Sequence, residues 1–186
     1  MNSPSVTFRP IGVLHTPHTE LKATPIQPVY ADDCPGRAEL LPELADGLAD
    51  LEGFSHVYLL YWLHRASPAV MRVQPYLQDI ERGLFATRFP ARPNPIGLSL
   101  VRLLRCEGSV LHFNGADMLD GTPLLDIKPY APRYDVLDQP RGGWTEDVDE
   151  ATAQQRGRRQ WNADAAGAPP PHVLSSQQPT KRKQES

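Results

Sequence analysis

Residues 83–113 read GLFATRFPARPNPIGLSLVRLLRCEGSVLHF and change character at Ile96. The first part carries prolines at 90, 93 and 95. Each removes a backbone donor and fixes φ, so this part is neither helix nor central strand. Phe89, Arg92 and Asn94 each precede a proline and are pushed towards extended geometry, which makes the segment a stiff loop. The second part is an apolar run from Ile96 to Cys106, a turn at Glu107-Gly108 and another apolar run from Val110 to Phe113. That order predicts a β-hairpin.

Working outward, charge divides at the same place. Between Arg82 and Cys106 stand five arginines (82, 88, 92, 102, 105) and no acid, whereas Glu107 to Asp126 holds four acids (107, 117, 120, 126) and neither lysine nor arginine. Pro123 to Tyr130 forms the next strand-like piece. Upstream, Phe54 to Leu63, FSHVYLLYWL, is apolar on both parities and predicts a central strand covered on both faces. Leu41, Leu44, Leu48 and Leu51 fall at helical spacing between Pro42 and Gly53 and predict a helix. A first strand is expected within Val6–Leu14, and a short helix around Pro75–Ile80. Strands outnumber helices, so the fold class is mainly β.

The chain has 186 residues, 40% of them apolar, and a formal charge of −3, which fits one domain and excludes a globally basic nucleic-acid binder. An anion site must then come from local arginine. Cys34 and Cys106 form neither a CxxC pair nor a disulfide framework, which suits a reducing compartment. No apolar run has the length of a membrane span and the N-terminal residues lack a signal-peptide layout, so a soluble, cytoplasmic protein is expected. His15 and His18 stand three apart in a polar, proline-bearing loop with no third ligand nearby, and read as solvated histidines rather than a metal site. From Asp138 the chain turns polar, with seven bases and seven acids, and cannot bury enough apolar surface to offset its ordering entropy. Residues 138–186 are therefore expected to form a disordered tail.

Four stretches in order, IGVLHTP at 11–17, LEGFSH at 51–56, FATRFPARPNPIG at 85–97 and DGTPLLDIKPY at 120–130, resemble the signatures of the TsaA/TrmO-like family over roughly residues 6–137. The resemblance implies a small, single-sheeted β-barrel that forms homodimers and binds S-adenosyl-L-methionine. It also implies methylation of N6 of threonylcarbamoyladenosine beside the anticodon of tRNA. Cofactor contacts carried over by position fall on Pro25, Ile26, Gln27, His64, Arg65, Arg88, Leu98, Met118, Leu119, Asp120 and Gly121. The chain has Ile26 where bacterial relatives carry arginine and Phe89 where they commonly carry serine. Their second domain is replaced by the polar segment.

The chemistry asks for alignment of donor and acceptor, and for a base, because the delocalised urea-type N6 is a poor nucleophile while protonated. Asp120 is assigned to position cofactor or substrate. Asp126, Lys128 and Tyr130 share one strand face and are the candidates for handling the proton. A structural ion pair between Asp126 and Lys128 is the other reading, and both stay open. Arg88, Arg92 and Asn94 are assigned to the substrate, the arginine forks suiting phosphate or the threonyl carboxylate. Two further readings remain: a cofactor-binding barrel with a different acceptor or none, and a metal-dependent hydrolase using His15, His18 and His64, against which the lack of a clustered ligand motif speaks.

Overall fold

The structure, a computed structural model, describes residues 5–31 and 33–159. Its strands are β1 (Gly12–His15), β2 (Pro35–Leu40), β3 (His56–Trp62), β4 (Arg72–Val73), β5 (Arg82–Gly83), β6 (Ile96–Glu107), β7 (Val110–Asn114) and β8 (Thr122–Pro129). Six of them close into an antiparallel barrel in the order β1-β2-β7-β6-β3-β8, while β4 and β5 form a separate two-stranded ladder. The barrel is thus a single sheet wrapped on itself, as the resemblance implies.

Alternation fills its interior. Leu14, Ala38, Leu40, Val57, Leu59, Val101, Leu103, Leu111, Phe113 and Leu124 face inward and are buried. β3 sits between β6 and β8 and is central as expected. Only its inward parity is fully covered, however. Val57, Leu59 and Tyr61 are buried, Tyr58 and Leu60 are half-buried, and Trp62 is exposed. A closed barrel has one inside, so the second apolar face of this strand lies on the outer wall. Bulges between Leu60 and Tyr61 on the β8 side, and between Leu103 and Arg105 on the β7 side, supply the local bending that closure requires.

The hairpin is present with its turn one residue later than predicted. Glu107 pairs with Val110, leaving Gly108-Ser109 as the loop, and Gly108 takes the positive φ (59°) that such a turn demands. The predicted helix over Leu41–Leu51 is instead two 3-10 turns, Pro42–Leu48 and Leu51–Gly53. The chain breaks between them because Ala49 leaves the helical region (ψ 139°) and Asp50 has φ 64°. Leucines spaced by three and four suit a 3-10 turn as well as an α-helix, and here Leu48 and Leu51 bury against the barrel core. The helix predicted around Pro75–Ile80 is absent; the segment makes only a turn, with the Gln78 amide donating to the Pro75 carbonyl (3.3 Å).

Two α-helices do form, α1 (Pro132–Asp135) and α2 (Glu150–Gly157). The second lies in the stretch expected to be disordered, so that expectation is corrected for 143–157. A 3-10 turn at Gly143–Asp147 leads to α2, whose N-cap Asp149 accepts from the Thr152 amide (2.9 Å) and hydroxyl (2.7 Å). Composition hides this, because these residues order by docking onto the barrel rather than by building a core of their own. The remainder of the expected tail, 160–186, lies outside the described residues. No helix among the described residues is long and apolar enough to cross a membrane.

Candidate functional site

A cavity of about 1300 Å³ opens at one end of the barrel, walled by the loops at 21–30, 63–67, 75–77, 84–92 and 117–119 and by the start of β6. The proline-rich loop owes its shape to donors that compensate for the missing amides. Ala91 is fully buried and its carbonyl accepts from Val70 N (3.2 Å), while Pro95 O accepts from Leu63 N (2.8 Å). Arg92 Nη1 donates to Thr87 O (3.0 Å) and Phe89 O (3.4 Å), and its guanidinium lies 5.6 Å from the centre of the Phe85 ring. One nitrogen of the arginine assigned to substrate thus braces the loop. Arg88 reaches across the cavity to the Gln27 amide oxygen, and Gln27 Nε2 donates to Ile26 O (2.7 Å). Arg65 Nη1 donates to Thr19 O (3.4 Å).

The turn after β7 is laced to the first loop by both histidines. His18 Nε2 meets Ala116 O at 2.9 Å, Thr16 Oγ1 donates to Met118 O (2.8 Å), and the Asp120 carboxylate accepts from Thr16 N (3.1 Å) beside His15 Nδ1 (3.3 Å). His15 and His18, read as solvated, are half-buried and fasten this turn.

Of the residues assigned to the cofactor, Pro25, Ile26, Gln27, His64 and Arg65 line the cavity, as do Arg88, Leu98, Met118 and Leu119. Asp120 and Gly121 are not in its wall; they hold the turn from behind. Of the residues assigned to substrate, Arg88 and Arg92 line it and exposed Asn94 does not. Asp126, Lys128 and Tyr130 are absent from the wall as well. Asp126 pairs across the sheet with Leu60 and Lys128 with Tyr58, which puts both on the outer face, where they form an ion pair at 2.8 Å. Tyr130 packs edge-on against Tyr58 (6.0 Å between ring centres) and His56 (6.4 Å).

The carboxyl that the cavity does contain is one the sequence reading left without a role. Asp117 is buried in the wall and accepts from Ser99 Oγ at 2.5 Å, and Ser99 Oγ in turn meets the buried Tyr61 hydroxyl at 2.9 Å. Burial pushes the Asp117 carboxyl up to about 7, and burial with the nearby Asp117 charge pushes the Tyr61 phenol up too. The available signal was parity. Ser99 is a hydroxyl on the inward side of β6, between Gly97 and Val101, where an unpartnered polar group is costly. Trp144 and Arg159 also line the cavity, and lay hidden in the polar segment. Among the described residues, none of the four cavity-lining guanidiniums of Arg65, Arg88, Arg92 and Arg159 forms an ion pair with a carboxylate.

Residues 13–136 match the family model described as the tRNA-methyltransferase O N-terminal domain. A probable S-adenosyl-L-methionine-binding protein of Pyrococcus abyssi is 50% identical over 141 residues, 76% of this chain and 77% of that one. The human tRNA (adenine(37)-N6)-methyltransferase is 38% identical over 133 residues, which are 68% of this chain and 30% of the human protein. The crystal structure of TrmO from Pseudomonas aeruginosa superimposes with a TM-score of 0.64 at 40% identity, covering 76% of this chain and 63% of that one. The match thus spans less than two thirds of the solved relative and less than a third of the human enzyme.

Proposed function

This chain belongs to the family of the tRNA-methyltransferase O N-terminal domain, and from that premise we propose that it is an S-adenosyl-L-methionine-dependent methyltransferase acting on N6 of an adenosine in tRNA. The acceptor we assign is threonylcarbamoyladenosine beside the anticodon, in the cytoplasm. The observation that carries the reading is the charge of the cavity: among the described residues, four guanidiniums without a carboxylate partner line it together with one buried carboxyl, an arrangement suited to a ligand rich in phosphate and carboxylate. The volume, about 1300 Å³, exceeds the roughly 300–1,000 Å³ of a typical small-molecule site and leaves room for a cofactor and a nucleoside together.

S-adenosyl-L-methionine supplies the methyl group from its sulfonium. Its binding falls to the 25–27 loop, His64, Leu98 and Met118-Leu119, a largely apolar set that suits an adenosine, with Arg65 and Arg88 at the rim. The stiff proline loop holds the acceptor nitrogen in line, where small displacements are costly in rate. Arg88 and the unbraced nitrogens of Arg92 meet phosphate or the threonyl carboxylate. The acceptor's N6 proton passes to Asp117, which is partly ionised near neutrality and is held by Ser99. Asp120 positions the turn that carries Asp117. The anticodon loop is already single-stranded, so little unpairing is required.

A second reading is a cofactor-binding barrel with another acceptor or none; the Pyrococcus relative's designation as a binding protein favours it. The separating experiment is transfer of labelled methyl to two tRNA pools, one carrying threonylcarbamoyladenosine and one lacking it. Label confined to the modified pool supports the proposal. No label in either pool, with cofactor binding shown by calorimetry, supports the binding module.

A further inference from the structure

Residues 138–159 lie beyond the matched barrel, yet they form part of the cavity wall. They make a strap fixed at several points. Trp144 Nε1 donates to Ala86 O (2.7 Å), and Gln78 Nε2 donates to Trp144 O (3.3 Å). Arg156 grips the Asp79 carboxylate with both terminal nitrogens (2.9 and 3.0 Å). At the end of α2, Ile26 N donates to Gly157 O (3.0 Å), and Gly157 lies so close to the Tyr30 ring that a Cβ there would come within 2.4 Å of it. The cofactor loop at 25–30 and the arginine-bearing loop at 84–89 are therefore held by one segment.

What the strap delivers is Arg159. Its guanidinium lies 4.1 Å from the centre of the Tyr76 ring, which itself stacks on Phe89 (5.7 Å, 20° between planes), and Nη1 donates to Leu21 O. Among the described residues its Nε is buried without a hydrogen-bond partner, and no carboxylate pairs with it. Withdrawal from water depresses its pKa, opposed by the charge interaction with Tyr76. Burying a cation without an anion is costly, and because Arg159 lines the cavity an incoming anion there would offset that cost. Arg65 and Arg88 are exposed and Arg92 is engaged with two carbonyls, so Arg159 is the cavity arginine whose environment most requires an incoming charge.

We propose that Arg159, carried by the strap, is the oxyanion-binding residue of this cavity, taking either the carboxylate of the methyl donor or a phosphate of the RNA. The identity of those two ligands rests on the methyltransferase reading; the demand for an oxyanion rests on the guanidinium itself.

The test uses the full chain and the variants Arg159→Met and Arg159→Gln, the latter keeping a donor for the Leu21 carbonyl. Binding of S-adenosyl-L-methionine, of its decarboxylated analogue and of tRNA at several salt concentrations is measured directly, with hydrogen exchange of the Ile26 amide reporting whether the strap stays docked. If the carboxylate is the partner, each docked variant binds the intact cofactor about tenfold or more weakly while the decarboxylated analogue binds as in the wild type. If phosphate is the partner, cofactor binding is unchanged and the salt slope of tRNA binding falls by about one. Unchanged affinities with the Ile26 amide still protected overturn the proposal. Loss of that protection in both variants overturns it as well, since Arg159 then serves to dock the strap. Methyl transfer by the wild type is run alongside: its failure with binding intact removes the methyltransferase reading and leaves the affinity differences to judge Arg159.

Discussion

Asp117 is the residue on which both rate and stability are expected to turn. Single-turnover methylation by the wild type should rise with pH through about 7 as this carboxyl ionises, and Asp117→Asn should lower the rate about 10²–10⁴-fold and flatten that rise. A pH profile of the variant parallel to the wild type would remove Asp117 from the chemistry. The same group sets a stability trend. Its pKa is raised from 3.8 to about 7 in the fold, so between these values the folded chain holds a proton that the unfolded chain has released. Its burial therefore carries no penalty below the lower value and a growing penalty as pH rises to the upper one. Urea midpoints of the wild type should fall over that window more than those of Asp117→Asn. Lys128 offers the contrast. Its pair with Asp126 is largely exposed, so Lys128→Met should change stability by no more than about 1 kcal/mol and leave single-turnover methylation intact. A tenfold fall in rate at unchanged stability would return Asp126 and Lys128 to the reaction.

At the scale of elements, the pairing of β3 with β6 ties the barrel to the site. Tyr61 and Gly97 are direct cross-strand partners, and the Tyr61 ring covers the glycine so closely that a Cβ would lie 2.1 Å from it. Gly97→Ala must therefore displace the ring whose hydroxyl meets Ser99. We expect a cost of about 1–3 kcal/mol by urea denaturation together with slower methylation, since Ser99 loses its orienting partner. Loss of stability without loss of rate would separate the Tyr61–Ser99–Asp117 chain from catalysis. Five barrel strands and the stiff loop were legible because period-two alternation and clustered prolines are local properties, whereas β2 (Pro35–Leu40), with only Ala38 and Leu40 buried, was not. The helix at Leu41–Leu51 was misread because leucines spaced by three and four fit a 3-10 turn equally well, and which forms depends on the barrel end that Leu48 and Leu51 cover.

At the scale of the whole molecule, the outer wall carries an apolar pair at the cavity rim: Trp62 pairs with Ile96, and the two are 47% and 41% exposed. We propose that a second copy of the chain covers it, the homodimer being what the family resemblance implies. Trp62→Asp is then expected to convert a dimer to a monomer in sedimentation, and an unchanged mass would place any dimer contact elsewhere. The chain alone revealed five of the six barrel strands, the stiff arginine-bearing loop and the family, because proline chemistry, alternation and ordered motifs need no partner to be read; β2 (Pro35–Leu40) and the β4–β5 ladder were not read from it. Nine of the eleven residues assigned to the cofactor line the cavity. Which carboxyl enters the cavity, and which charges stay unpaired there among the described residues, depends on how the barrel closes. Asp126 and Asp117 look alike along the chain, and closure of the barrel places one on the outer wall and the other in the cavity wall against Ser99. The ordered strap was likewise invisible locally, since its residues gain structure by docking onto loops some sixty to one hundred and thirty positions away in sequence.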